Sequence, residues 1–205
     1  MHDFQGSTLE RLYVEQDVIL PGRGPGALPL TKTIRDWLSA PGQTLMTLLG
    51  DFGSGKTSFC RRLACELALE VRKKNGAPRI PILIDLREAG STALTLENML
   101  THHFQRLSSQ PVNPQALLHL NREGHLLLVF DGFDEIIGYA EAGRFVEVLR
   151  QILRAAEDKA KVILTCRTHY FKDRPEELKY LGKEHDAIAS AGGTRLYEEI
   201  RERPG

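Results

Sequence analysis

Residues 50–57, Gly-Asp-Phe-Gly-Ser-Gly-Lys-Thr, complete the pattern G-x-x-x-x-G-K-[ST], and no other stretch constrains the chain as strongly. The loop needs a strand before it and a helix after it. Thr44-Leu45-Met46-Thr47-Leu48-Leu49 is a short apolar run that reads as a buried strand. Phe59, Leu63, Leu67 and Val71 then recur every fourth residue, which is the spacing of one helix face. A glycine-rich turn with a surface lysine is the plainer reading of the eight residues. A chance match in a chain this long is on the order of one in a hundred, and the strand–loop–helix context lowers it further.

The motif dictates a ligand class. Gly50, Gly53 and Gly55 allow the backbone to close around a phosphate chain because no Cβ intrudes. Backbone N–H groups then point inward, aided by the helix dipole, and residues 50–58, with Asp51, Phe52, Ser54 and Ser58 among them, are expected to bind the nucleotide. Lys56 is expected at the β- and γ-phosphates, and Thr57 is expected to offer its hydroxyl to Mg²⁺.

The rest of the chain fits an α/β protein. Its 205 residues make one domain the default, and 41% hydrophobic with 26% charged residues is ordinary globular composition. Twenty-seven basic side chains balance 27 acidic ones, so no basic excess points to nucleic acid. No apolar run is long enough to span a bilayer, and Met1-His2-Asp3-Phe4-Gln5-Gly6 lacks the pattern of a secretory signal. Cys60, Cys65 and Cys166 form no metal-ligand spacing, and reduced thiols in a cytoplasmic protein are expected.

Leu12 to Leu20 reads as an extended segment, followed by a linker-like Pro21-Gly22-Arg23-Gly24-Pro25-Gly26. Thr33 is a plausible N-cap for a short helix carrying Ile34, Trp37 and Leu38. Further strands are expected at Ile80–Leu86, His125–Phe130 and Lys161–Cys166. Helices are expected around Leu96–Leu107, after Asn113-Pro114, and through Phe145–Leu153. Strands alternating with helices predict a mostly parallel sheet flanked on both faces. His102-His103 reads as a solvated helix face.

The strand ending at Phe130 runs into Asp131-Gly132-Phe133-Asp134-Glu135. Asp131, at the carboxyl end of a buried strand, is the expected Mg²⁺ partner of Thr57. Asp134 or Glu135 is expected to orient or deprotonate the attacking water. An intervening strand, Ile80–Leu86, separates the loop from Asp131 in chain order, as in ATPase-type layouts, and no N-K-x-D motif reads guanine, so ATP is favoured. Arg167 ends the Lys161–Cys166 strand and is placed to sense a γ-phosphate. His169, two residues on, reads as a packed or surface histidine.

G-D-F-G-S-G-K-T, L-L-L-V-F-D-G-F-D-E and V-I-L-T-C-R-T-H-Y-F together resemble the NACHT domains of STAND-class signalling NTPases, most closely bacterial members, antiphage defence proteins among them. The resemblance implies a three-layer P-loop NTPase fold with the additional-strand order of AAA+ and STAND proteins. It implies ATP/ADP and Mg²⁺ as ligands, with phosphate at Lys56 and Thr57, Mg²⁺ at Asp131, hydrolysis supported by Asp134 and Glu135, and Arg167 as sensor. It further implies a switch held closed by ADP and opened to self-association by ATP. Phe52 departs from the small residue of many animal members.

The domain plan is a 1–40 extension, a 41–172 nucleotide-binding core and a polar 173–205 segment. The family's fifth strand and lid domains would come later, so this chain is expected to be part of a longer protein. A ring-forming ATP motor, with Arg144, Arg150 or Arg154 acting in trans, and a nucleotide-binding module with little hydrolysis are the competing functions.

Overall fold

A computed structural model describes residues 13–18, 28–73, 79–88, 95–137 and 142–168, with the backbone alone at 136, 137 and 142–145. The 21–26 linker, the Gly76-Ala77-Pro78 stretch, His169 and everything after it lie outside the described residues. The elements run β1 (Asp17–Val18), β2 (Leu28–Pro29), α1 (Leu30–Ser39), β3 (Leu45–Leu49), α2 (Lys56–Arg72), β4 (Ile80–Asp85) and α3 (Leu96–Leu107). They continue with α4 (Pro114–Arg122), β5 (Leu126–Asp131), α5 (Phe133–Ile137), α6 (Ala142–Ala155) and β6 (Lys161–Cys166).

Four strands form one wholly parallel sheet in the order β3-β6-β5-β4, while β1 and β2 make a separate antiparallel pair. Sequence reasoning took the strand between the loop strand and the acid strand from chain order, as Ile80–Leu86. In space that position belongs to β6, and β4 lies outside β5. β6 pairs with β3 from Leu45↔Val162 to Leu49↔Cys166 and with β5 from Leu127↔Lys161 to Phe130↔Leu164.

β5 and β6 are buried along their whole length, which is why they read as unbroken apolar runs. The period of two splits their side chains between two cores. Leu127, Val129 and Ile163 face α1 and α2, with Ile34, Trp37, Phe59 and Leu63. Leu126, Leu128, Phe130, Val162 and Leu164 face the opposite layer, with Met99, Leu100, Leu118, Leu149 and Ile152. The sheet is therefore the middle of three layers.

Helix α1 begins at Leu30, earlier than a Thr33 cap would have it. Thr33 instead returns its hydroxyl to the Pro29 carbonyl at 3.0 Å. The capping comes from a distant segment: Glu15 accepts from the Thr31 N–H and hydroxyl, both at 2.9 Å, and the Gln16 carbonyl accepts from Leu30 N–H at 2.7 Å. Asn113 does cap α4, accepting from Gln115 and Ala116 N–H groups ahead of Pro114 at the first helical position.

Lys161 fastens α1 to the sheet. Its ammonium donates to the carbonyls of Trp37 (2.8 Å), Ala40 (2.8 Å) and Gln43 (2.6 Å) and sits 4.7 Å from the Trp37 ring centre. It thus supplies donors to the carbonyl end of α1 and to the strap leading into β3.

Replacing Lys161 with Met removes the donor from three carbonyls and is expected to cost about 1–3 kcal/mol in urea unfolding. Burial, with the nearby Arg79 charge, pushes the ammonium down to about 8 from 10.5. The folded value lies below the unfolded one, so the charged form carries a folding penalty that is relieved as pH rises from about 8 toward 10.5. Wild-type stability relative to Lys161→Met should therefore grow across that window, and a constant difference would contradict the buried setting.

Candidate functional site

The loop is anchored at both ends. Gly50 N–H donates to the Cys166 carbonyl at 3.3 Å, tying its first residue to the end of β6. Ser54 N–H donates to the Asp51 carbonyl at 3.2 Å, which closes a turn at the tip. Gly55, at φ +84°, caps α2 with no side-chain hydrogen bond, so no capping side chain occupies the start of that helix. The Gln16 carboxamide lies against Gly55, where a Cβ would collide with it. Asp51, Phe52, Gly53, Ser54 and Ser58 are exposed, and Lys56 and Thr57 are half-buried. Lys56 Nζ donates to the carbonyls of Gly50 (2.5 Å) and Asp51 (3.0 Å) and to Ser54 Oγ (3.2 Å), so its charge sits over the loop.

Asp131 is the last residue of β5, one place beyond the Phe130 end expected from sequence, and is 2% exposed. Alternation carries it to the α2 face, after Leu127 and Val129. Its Oδ1 accepts from the Thr165 hydroxyl at 2.6 Å, and the same hydroxyl accepts from Gly132 N–H at 2.9 Å. Thr165 escaped the sequence reading. The available signal was a hydroxyl inside an otherwise apolar strand, Val162-Ile163-Leu164-Thr165-Cys166. Burial raises the Cys60 thiol well above its usual range, with Asp131 adding to the rise and Lys56 opposing it. Both motif charges thus act on one thiol of α2.

The two later acids separate. Asp134 is buried, and its Oδ2 lies 2.8 Å from Arg167 Nε while Oδ1 accepts from Arg167 N–H at 3.2 Å. The Arg167 guanidinium also sits 5.5 Å from the ring centre of Phe52, a side chain 86% exposed at the loop tip. Glu135 is exposed and turns toward Arg87, with Oε2 at 3.5 Å from Nε. The site thus joins the loop, Asp131, Asp134 and Arg167 at the carboxyl ends of three neighbouring strands, and Glu135 lies at its rim.

A pocket of ≈ 190 Å³ opens beside Asp131, lined by Arg61, Leu83, Asp85, Glu88, His103, Arg106 and Leu107. His102 and His103 are half-buried instead of solvated: the end of α3 folds past the edge of β4, and burial, with His102 nearby, lowers the His103 imidazole. Thr57 and Asp131 are hard oxygen donors of the kind Mg²⁺ takes. Among the described residues no three His, Cys, Asp or Glu side chains gather into a metal cage.

Thr165→Val should orphan Asp131 Oδ1 and the Gly132 N–H together, lowering stability by about 1–3 kcal/mol, while Thr165→Ser should lose far less. Thermal unfolding of the pair checks this; equal losses would mean that packing, not the hydroxyl, matters.

A family model described as the NACHT domain matches residues 44–188. The chain is also 34% identical over 170 residues, 80% of its length, to an uncharacterized WD repeat-containing protein of Nostoc sp. (strain PCC 7120). It spans only 11% of that relative. With the family match covering most of the chain and the loop, acid and strand order in place, the chain belongs to the NACHT domain family of nucleotide-binding P-loop NTPases.

Proposed function

We propose that this NACHT domain binds ATP and ADP with Mg²⁺, hydrolyses ATP slowly, and acts as a nucleotide-controlled signalling switch. The observation that carries the reading is the Asp134–Arg167 pair, a cation held by a buried acid at the end of the strand hydrogen-bonded to the loop. A γ-phosphate arriving at Lys56 would compete with Asp134 for Arg167, giving ATP and ADP different interaction energies. That differential is the minimum a switch requires.

Gly50 through Ser58 would wrap the phosphates, with Lys56 supplying charge and backbone N–H groups the cradle. Thr57 and Asp131 fit Mg²⁺ as oxygen donors, with water and phosphate completing its shell. When bound, the ion would neutralise phosphate charge. Thr165 fixes the Asp131 carboxylate in one orientation. Asp134 and Glu135 are the candidate acids for hydrolysis.

The core of the proposed function spans residues 41–172, preceded by the 1–40 extension and followed by a polar 173–205 segment. Self-association, a cytoplasmic setting and a role in bacterial defence or regulation go with the same reading. The relative's WD repeats suggest that the switch is coupled to a repeat region in a longer polypeptide. A ring motor needs an arginine offered to a neighbour. Arg150 pairs with Glu147, and Arg154 pairs with Glu97, which weighs against these two; the Arg144 side chain lies outside the described residues.

The test is nucleotide binding with and without Mg²⁺. Lys56→Ala should weaken ATP and ADP in both conditions by about 10- to 100-fold, the worth of one charge-assisted contact. Asp131→Asn should weaken binding only when Mg²⁺ is present. Wild-type affinity in Lys56→Ala would overturn the site.

A further inference from the structure

Arg87 stands just past β4, outside every motif that defines the site, and its guanidinium is held more firmly than that of an ordinary surface arginine. Nε donates to Asp85 Oδ1 at 2.8 Å, Nη2 donates to Oδ2 at 2.6 Å, and the Arg87 backbone N–H donates to Oδ1 at 3.1 Å. Two parallel bonds to one carboxylate fix the plane of the guanidinium. The anchor itself is fixed, because Asp85 pairs in register with Asp131 and Leu86 N–H donates to the Asp131 carbonyl at 2.9 Å. Position of the clamp is therefore set by the acid strand.

The same Arg87 Nε lies 3.5 Å from Glu135 Oε2, an ion pair made beside its hydrogen bond to Asp85. Gly132 turns the chain back at φ +82°, a conformation that favours glycine, and a Cβ there would make ordinary contact at 3.7 Å with both the Arg87 Cγ and the Glu135 Oε1. Arg87 and Glu135 thus meet over a floor with no side chain. Asp134 points the other way, with one oxygen on the Arg167 guanidinium and the other on the Arg167 N–H. A carboxylate engaged through both oxygens is poorly placed to accept a proton from water, whereas Glu135 is exposed and, among the described residues, held by a single ion pair.

We propose that Arg87, clamped by Asp85, is the positioning residue for Glu135, and that Glu135 takes the proton of the attacking water while Asp134 serves Arg167. The inference rests on the ATPase reading above. In the step it serves, the water oxygen bonds to the γ-phosphorus as the bond to the β–γ bridging oxygen breaks. That oxygen leaves on ADP with the electron pair. One water proton passes to Glu135 and from there to the released phosphate.

The test is ATP turnover and nucleotide affinity of the full chain. Glu135→Gln should lower kcat about 100-fold or more with ATP and ADP affinity within about twofold of wild type. Arg87→Ala should lower kcat about tenfold at unchanged KM and affinity, and Arg87→Lys should recover part of that loss. Asp134→Asn should instead change the ratio of ATP to ADP affinity. Should Arg87→Ala fold poorly, Arg87→Gln and Asp85→Asn carry the same expectation through a milder change. Wild-type kcat in folded Arg87 variants would overturn the positioning role, and a Glu135→Gln enzyme that turns over normally would overturn the assignment of the base. A wild-type protein that binds ATP through Lys56 yet never hydrolyses it would sink the hydrolytic reading as well, an outcome distinguishable from failure of the variants alone.

Discussion

β6 lies between β3 and β5, and its parallel hydrogen bonds to both bring the phosphate loop, Asp131, Thr165 and Arg167 to one end of the sheet. The contacts that organise the site then follow. Gly50 hangs from the Cys166 carbonyl, Thr165 grips Asp131 across one strand boundary, and Arg167 emerges two residues later against Asp134. A strand moved by one position would turn Thr165 to the other face and break the bond to Asp131. Complete burial of β5 and β6 protects that register, because a slip would move apolar side chains out of both cores.

The charges at this end of the sheet are arranged in partnered steps. A carboxylate withdrawn from water must find donors or its burial is costly. Asp131 has the Thr165 hydroxyl, Asp134 has Arg167, and Asp85 has Arg87. Burial raises the Asp85 carboxyl, but the Arg87 hydrogen bonds and charge outweigh it and hold the group below its usual range. Such pairs fix side-chain directions before any ligand arrives, which is what electrostatic preorganisation demands. Glu135, more exposed than Asp85, Asp131 or Asp134, is also the carboxylate with the loosest partner.

What the sequence made legible was what local spacing encodes. The loop, the helix face of Phe59, Leu63 and Leu67, the Asn113-Pro114 cap and the β6 boundaries depend on residues close together in the chain, and each lies where its pattern puts it. Residues whose role depends on strand order were not legible. Thr165 is an unremarked threonine until β6 is set beside β5. Lys161 reads as a charge at a strand start, yet it reaches back to carbonyls of α1. Thr33 looked like a cap because hydroxyl residues often are, whereas Glu15 from a separate segment supplied the acceptor. His102 and His103 looked solvated because the fold of α3 past β4 is a tertiary fact.

The central proposal is that the loop holds either nucleotide, while the Asp134–Arg167 pair responds to the presence of a third phosphate. Amide hydrogen exchange in Mg²⁺ with ATP, ADP or neither tests it directly. The account predicts that both nucleotides protect residues 50–58, and that residues 132–135 and 165–168 exchange differently with ATP than with ADP. Identical exchange at those positions with the two nucleotides, beside a protected loop, would contradict it.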